Sequence, residues 1–565
     1  MRLSRLRKVV GTLSRYFNRN RASVVMSATS LKILNAGAGA LTAAMLLTGC
    51  AVGPDFGHPA APDVERYTKE LLPTRTSSTD APTGQVQHLT QGRDFQQEWW
   101  RLFRSPALNA LIERALKNNP SLQSAIATLR ATKEAVYAQQ AKFFPTVQAN
   151  FNPLREASQA ALAPPVELPG NPAAVSPQTF SLYTAQVQVA YTFDVWGLNR
   201  RTVESLQALA DTQRFQVEAA YLTLVSNVAL AAINEASLRG QVDATNELIK
   251  INSKMLDILK RQLQTGYASR NDVALQEAAL AQVEATLPPL RKALQQNRDL
   301  LAALTGVYTS QEPRETFKLA DLQLPTDLPV TVPSQLIEQR PDIRAAQEQL
   351  HSAAAQIGVA TANMLPNFTI SGNPGYTSIM LAGLLNPVNG FWIISGNVTQ
   401  TLFDGGALLH TLRGAQATYD AAAWNYRSTV VAGAQNVADS LRAVENDADA
   451  LKAARDFERA AKISFDLAQQ QMQTGYANIL ILLTAQQTYL QAVIQVVQAR
   501  AARLSDTVAL YQALGGGWWN RTEPPTEKIL NVGTGEAATL VDRQGGYLDT
   551  VLPLIHARTQ TETPQ

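Results

Sequence analysis

Residues that could do chemistry are few and scattered. Of 565 residues, one is cysteine and five are histidine. His58, His88, His351, His410 and His556 fall on separate segments, with no ligand-like spacing among them. They read as solvated surface groups, and no convergent set of titratable residues points to an enzyme. No phosphate-binding loop is present, so the chain is no ATPase by itself, and no cofactor or metal is implied. A lone cysteine, Cys50, cannot close an intramolecular disulfide. What the sequence does repeat is "QTGYA", at 264–268 and 473–477, 209 residues apart. In each copy a glycine, Gly266 or Gly475, can take the left-handed conformation that ends a helix. Ser269 and Asn478 are good caps for a following helix. "SRND" at 269–272 has the spacing of a capping box, with Asp272 where Glu or Gln is usual. Tyr267 and Tyr476 complete two matching reversal points, each of which could also serve as a binding loop.

Cys50 has its own setting. An apolar stretch runs from about Ile33 to Leu47, preceded by Lys32 and followed by small residues up to Cys50. It is a secretory signal, too short and wrongly flanked to span a membrane. "LTGC" at 47–50 resembles a bacterial lipobox, which implies cleavage before Cys50 and acylation of its thiol. Ala51 rather than Asp follows, as in lipoproteins sent to the outer membrane. The basic preface 1–25 is either an extended leader or a consequence of translation starting at Met26. Residues 1–49 hold eight Lys and Arg and no acid, so the net charge falls from +3 to −5 once they leave. The basic balance is therefore no argument for nucleic acid. With 45% apolar and 17% charged residues, the composition is globular.

The elements that carry the turns are themselves duplicated. "NPSLQSAIATLRATKEAVYAQQAKFFPTV" at 119–147 lies over "RPDIRAAQEQLHSAAAQIGVATANMLPNF" at 340–368. Each contains a proline pair spaced by 25. "FDVWG" at 193–197 lies over "FDGG" at 403–406. Each unit reads helix, strand, strand, long helix, turn, long helix. From Gly197 to Gly266 there is no proline, and Gly240 is the only glycine between them. Roughly 70 helical residues would span about 100 Å. Val217, Tyr221, Leu224 and Val228, then Leu280, Val283, Leu287, Leu290 and Leu294, follow the 3 and 4 spacing of a coiled coil. The second unit matches with 407–474 and 478–512. Pro288 and Pro289 predict a kink in the first.

Between the helices lie alternating segments. In 183–193, Tyr183, Ala185, Val187, Val189, Tyr191 and Phe193 alternate with Thr184, Gln186, Gln188, Ala190 and Thr192. Segments 146–152 and 367–373 alternate likewise, and 391–403 less regularly. Such strands suit either a half-buried sandwich or a membrane barrel. In lipid, four strands per chain cannot close a barrel, so several chains would have to share one. The loops 153–178 and 374–390 would then lie outside the cell.

Taken together, the chain resembles the bacterial outer-membrane efflux proteins, the lipoprotein-type outer components of tripartite resistance-nodulation-division multidrug pumps. The resemblance rests on "LTGC" 47–50, "VGPDF" 52–56, "WW" 99–100, "NNPSLQSA" 118–125, "FDVWG" 193–197, "QTGYAS" 264–269, "QRPDIRAAQEQL" 339–350, "LFDGG" 402–406 and "QTGYAN" 473–478. It extends from Cys50 to about Leu514. It implies a homotrimer with an all-α periplasmic tunnel and a twelve-stranded transmembrane β-barrel, four strands from each subunit. It also implies a lipid-anchored protein of the bacterial outer membrane, extending into the periplasm. A periplasmic adaptor (membrane fusion protein) and an inner-membrane transporter would dock at the hairpin tips, and drugs or other small toxic compounds would leave by diffusion. The chain then divides into a signal peptide (1–49), an N-terminal segment (50–118), a first repeat (119–309), a linker (310–339), a second repeat (340–514) and a polar tail (515–565) expected to be mostly disordered. A trimeric coiled-coil surface protein or adhesin is the rival reading, but it leaves the duplicated plan unexplained.

Two departures from the family stand out. Gln347 occupies a position commonly Glu, with Glu348 one place later. Many relatives carry acidic rings just beyond the second turn, where this chain has Ile481 and Thr484; the first-repeat counterpart is Asp272. Asp272 is either a gate residue or only the cap partner of Ser269.

Overall fold

The computed structural model describes residues 51–521 except 65, 72, 92–95, 159–177 and 475, with the backbone alone at 91, 158, 178 and 473. Cys50, Gly475, the signal and the tail after 521 lie outside the described residues. In chain order the elements are β1 (His88–Gln91), α1 (Pro106–Asn118), α2 (Pro120–Gln140), β2 (Thr146–Ser158), β3 (Gln178–Phe193), α3 (Leu198–Gln264), α4 (Arg270–Leu304), β4 (Asp327–Val330), α5 (Pro333–Gln339), α6 (Pro341–Ala362), β5 (Asn367–Gly372), β6 (Gly375–Ser378), β7 (Gly390–Phe391), β8 (Ile394–Thr399), α7 (Ala407–Gln473) and α8 (Ile479–Ala513).

The duplication is kept residue for residue in the long helices. Both ends of α3 and α4 recur in α7 and α8 at the same displacement of 209 (198 to 407, 264 to 473, 270 to 479, 304 to 513). Their starts have a local cause. Asp194 of "FDVWG" accepts from the backbone N–H groups of Asn199 and Arg200 at 2.8 and 3.0 Å. Asp404 of "FDGG" accepts from Gly406 and Leu408 at 2.8 and 2.7 Å. The N–H groups of Leu408 and Gly406 hold the Asp404 carboxyl below the usual carboxylate range. Helix α4 continues from Arg270 to Leu304 with Pro288 and Pro289 inside it. Both prolines and the carbonyl-bearing residues Glu284 and Ala285 are exposed, and water can satisfy the freed acceptors.

The chain forms two compact units. One comprises Pro54–Ala141, Thr202–Ile357 and the chain from Thr411. Its core gathers Trp99, Trp100, Phe103, Leu111, Ile112, Val228, Ile233, Leu504 and Leu514. Trp99 stacks on Tyr511 with centroids 5.2 Å apart. The described beginning of the tail, 515–521, packs against this core. Gly515, Gly516 and Gly517 all have positive φ and turn the chain back. The Trp518 indole N–H then donates to the Gln339 carbonyl at 2.7 Å, its ring meets Phe215 edge-on, and Arg521 pairs with Glu218.

The other unit contains the chain up to Gly53, Lys142–Arg201 and Gly358–His410. It holds one antiparallel sheet. β2 pairs only with β3, β3 pairs with both β5 and β6, and these pair with β8 and β7. β5 and β6 act as one strand broken at Asn373 and Pro374. Reciprocal backbone bonds between Asn373 and Ile393 bridge the break. The result is four strands with two open edges among the described residues. β2 runs to Ser158 rather than stopping at Asn152. Pro153 does not end it because an edge strand tolerates a missing N–H. The fourth strand covers 390–399 and stops short of the 403 that alternation predicts.

Candidate functional site

Two surfaces are candidate functional sites, the hairpin tips and the sheet. At the tips, the N–H groups of Tyr267 and Ala268 both donate to the Gln262 carbonyl, at 2.8 and 3.3 Å. Those of Tyr476 and Ala477 donate to the Gln471 carbonyl at 2.9 and 3.3 Å. Gly266 has φ +80°, the left-handed value that its place in the turn predicts; the same expectation at Gly475 falls outside the described residues. Asn478 caps α8 by accepting from the Ile481 N–H at 3.1 Å. Ser269 and Asp272 form a complete capping box: Asp272 Oδ2 accepts from the Ser269 N–H at 2.9 Å, and Ser269 Oγ accepts from the Asp272 N–H at 3.1 Å. Tyr267 and Tyr476 are 87% and 88% exposed. Ile481 and Thr484 are also exposed and lie three residues apart on α8, hence on one side of it. Beneath the turns Met255, Leu259, Val273, Phe465, Ile479 and Leu482 share one cluster, which packs the two hairpins against each other.

That packing makes the role of Gly266 testable. A Cβ there meets nothing within 4 Å, so only backbone strain opposes it. Gly266→Val is expected to cost about 1 kcal/mol or more, and Gly266→Asn much less. Thermal unfolding of the two variants checks this, and equal melting temperatures would refute it.

The sheet has two chemically distinct faces, as period-2 alternation predicts. Register places Val147 opposite Val189, Ala149 opposite Val187, and Phe151 opposite Ala185. It places Tyr191 opposite Ile370, and Phe368 opposite Val398. These apolar side chains share one face. Val147 and Val398 on it are 66% and 62% exposed, so none of the described residues covers it there. The opposite face carries Gln148, Asn150, Gln186, Gln188, Thr369 and Asn397. Hydroxyls pair across it, Thr184 with Thr377, Thr192 with Thr369 and Ser371 with Ser395.

The segment after Cys50 is fastened to this unit. The Val52 N–H donates to the Trp196 carbonyl at 3.0 Å, and Arg201 Nε donates to the Val52 carbonyl at 3.1 Å. Gly53 has φ +97°, and a Cβ there would come within 2.4 Å of the Gly358 Cα. "VGPDF" therefore needs its glycine for close approach.

The histidines correct the sequence reading. His351 is not a solvated surface group. Its ring lies between Glu204 at 3.1 Å and Glu348 at 3.3 Å and stacks on Phe56 with centroids 4.4 Å apart. His58 bonds Gln347, the residue that departs from the family pattern. Three separate stretches of sequence meet there, and no periodic signal could have joined them. Among the described residues no group of three or more His, Cys, Asp or Glu could hold a metal.

The two-faced sheet and the duplicated hairpins both have counterparts among known proteins. The sequence profile of the outer membrane efflux protein family matches residues 111–307 and 332–516. The toluene efflux pump outer membrane protein TtgC of Pseudomonas putida is 27% identical over 85% of this chain and 95% of its own. The pyoverdine export outer membrane protein OpmQ of the same species is 29% identical over 76% of this chain and 90% of its own. In fold, the Campylobacter jejuni CmeC outer membrane channel superposes with a TM-score of 0.73 over 85% of this chain and 98% of that one, at 20% identity. The profile takes in both copies of the duplicated unit, and the chain belongs to the outer membrane efflux protein family of non-catalytic membrane channels.

Proposed function

We propose that three copies of this chain assemble into the exit duct of a tripartite efflux system. Each gives four strands to a twelve-stranded outer-membrane barrel and its helical hairpins to a tunnel across the periplasm. The observation that carries the reading is the sheet, whose exposed apolar face suits lipid and whose two open edges cannot persist there unpaired. Three such sheets joined edge to edge leave no edge. Solutes leave passively, driven by an inner-membrane transporter through a periplasmic adaptor. Two relatives are named for toluene efflux and for pyoverdine export, which supports small organic cargoes for this duct. Cys50 is acylated, and the residues after it are tied to the strand-bearing unit. An acyl chain contributes about 0.8 kcal/mol per buried CH₂, and the barrel makes it redundant as an anchor. Cys50→Ala should therefore still yield a membrane-embedded trimer. Intact mass of the mature protein should show an acylated chain starting at residue 50; an unmodified start elsewhere ends the lipoprotein reading.

The tips with Gly266, Tyr267, Ser269, Gly475, Tyr476 and Asn478 contact the adaptor, and Ile481 and Thr484 line the inner mouth. Exposure of both tyrosines and of Ile481 supports this. The Asp272 carboxylate is engaged by Ser269, so closure rests on apolar packing and narrowness rather than on a full acidic ring. Single-channel recording of the purified trimer tests the assignment. Thr484→Asp should raise cation selectivity and divalent-cation block, because like carboxylates held close attract cations. Asp272→Ala should change selectivity little while costing about 1 kcal/mol of cap stability. The reverse pattern would place the filter in the first repeat.

A further inference from the structure

The polar face of the sheet does not stay polar along its length. On β2 and β3, cross-strand partners run without a slip from the pair Thr146 and Ala190 to the pair Ser158 and Gln178. An uninterrupted ladder keeps every second pair on the same side. From Gln148 opposite Gln188, through Asn150 opposite Gln186, to Asn152 opposite Thr184, that side is amide or hydroxyl. The next pair on the same side is Leu154 opposite Leu182, and the one after it is Glu156 opposite Phe180. The other face switches in the opposite sense over the same rows. Its apolar run ends with Pro153 opposite Tyr183 and gives way to Arg155 opposite Ser181.

The two switches are coupled in height. If the apolar face meets lipid, its end at Tyr183 and Arg155 marks the outer boundary of the hydrocarbon. β3 residues 183–193, tilted in the usual way, would cover about 25 Å, the height of a barrel's apolar band. Leu154, Leu182 and Phe180 then stand at and above that boundary, on the side facing away from lipid, so lipid contact does not account for them. Leu154 and Phe180 are exposed and Leu182 is partly so. Below them, the paired residues of that face (Thr146–Asn152, Thr184–Thr192, Thr369, Ser371, Thr377, Ser395 and Asn397) include no ionisable side chain. The first carboxylate on the face is Glu156, directly beside Phe180 in the register.

We propose that Leu154, Leu182 and Phe180 form an apolar collar on the lumenal face of the outer mouth, a contact site for uncharged aromatic and other apolar solutes as they leave. The proposal rests on the barrel reading above and adds a preference to it. An uncharged, amide-lined bore gives such solutes no strong hold, and the collar gives them a last apolar surface before bulk water. Glu156, repeated around the rim, opposes anions at the same level. The duct thus contributes to the choice of cargo, apart from whatever the pump selects.

Single-channel recording of the full-length trimer, with a neutral aryl glycoside and a non-aromatic disaccharide of similar mass added at the outer side, tests the collar. The aryl compound should dwell longer by roughly fivefold, the factor that burying about 40 Å² of apolar surface gives. The ratio should fall toward one in the triple variant Leu154→Ser, Phe180→Ser, Leu182→Ser. Phe180→Ser alone, at an exposed position, should lower it partway if the triple variant gives no channels. Facing is tested separately with a charged thiol reagent. Gln186→Cys and Leu182→Cys should be modified with a drop in conductance, while Val187→Cys should not. An unchanged dwell ratio, or a silent Leu182→Cys beside a reactive Gln186→Cys, overturns the collar and leaves the barrel standing. A reactive Val187→Cys with a silent Gln186→Cys overturns the barrel reading and the collar with it.

Discussion

Arg503→Ala should be among the most damaging single substitutions in the helical unit, costing about 3–5 kcal/mol, since several buried acceptors lose their donor at about 1–3 kcal/mol each. Arg503 lies on α8 and is fully buried. Its Nη1 donates to the Thr83 carbonyl at 2.9 Å, and its Nη2 donates to the Gln85 carbonyl at 2.7 Å and to Thr76 Oγ1 at 3.0 Å. Gln87 extends the network, its amide donating to the Pro325 carbonyl at 3.0 Å and to Thr507 Oγ1 at 3.1 Å. Burial pushes the guanidinium down to about 10, still charged at neutral pH. Alanine would leave buried carbonyls without a donor, and each such group is costly to leave unmade. Arg503→Lys should recover only a minor part, since an ammonium cannot fork to the same acceptors. Chemical denaturation together with limited proteolysis of the 76–87 segment reads the effect. A loss below about 1 kcal/mol would mean that the network is not what holds the segment down.

The second large effect is a dependence on pH. Asp447 on α7 is raised to about 7 by burial, then by its hydrogen bond to the Asp506 carboxyl and by that group's charge; Arg503 pulls it partly back. One of its carboxyl oxygens is buried without a partner. The folded pKa lies above the unfolded value of about 3.9, so the folded state binds the proton more tightly. The stabilisation is therefore fully present below about pH 4 and is lost as pH rises through about 7. With its partial contact with water allowed for, the swing is on the order of 2 kcal/mol per protomer. Asp447→Asn, which keeps the shape and cannot ionise, should be the more stable protein at pH 8, with the gap shrinking steadily as pH falls and nearly closed at pH 4. Melting temperatures of both proteins between those pH values decide it. Parallel curves would show that Asp447 is ionised across the range.

The division between local and distant causes runs through the whole molecule. A proline after Asn119, an aspartate before α3 and before α7, and a glycine in each hairpin turn act within a few residues, so they are visible in one stretch of sequence. The same holds for the alternation in 183–193, because side chains in a strand change face at every step. Gly266 and the capping box of Ser269 and Asp272 follow from these local rules. Asp272 was ambiguous only because a cap and a gate call for the same residue type.

The duplication, the helix ends, the reversal points and the two faces of the strands were thus determined by the sequence alone. Tertiary structure decided what long-range contact makes. It brought Phe56 and Glu204 to His351, set Arg503 against a segment some 420 residues earlier, closed Asp447 on Asp506, and turned Trp518 back onto Gln339. It also fixed the register that puts Leu154 opposite Leu182 on the polar side of the sheet. The reason is physical. Propensity, capping and periodicity are properties of neighbouring residues, whereas burial and pairing depend on which distant surfaces exclude water from each other, and that is settled only when the chain has packed.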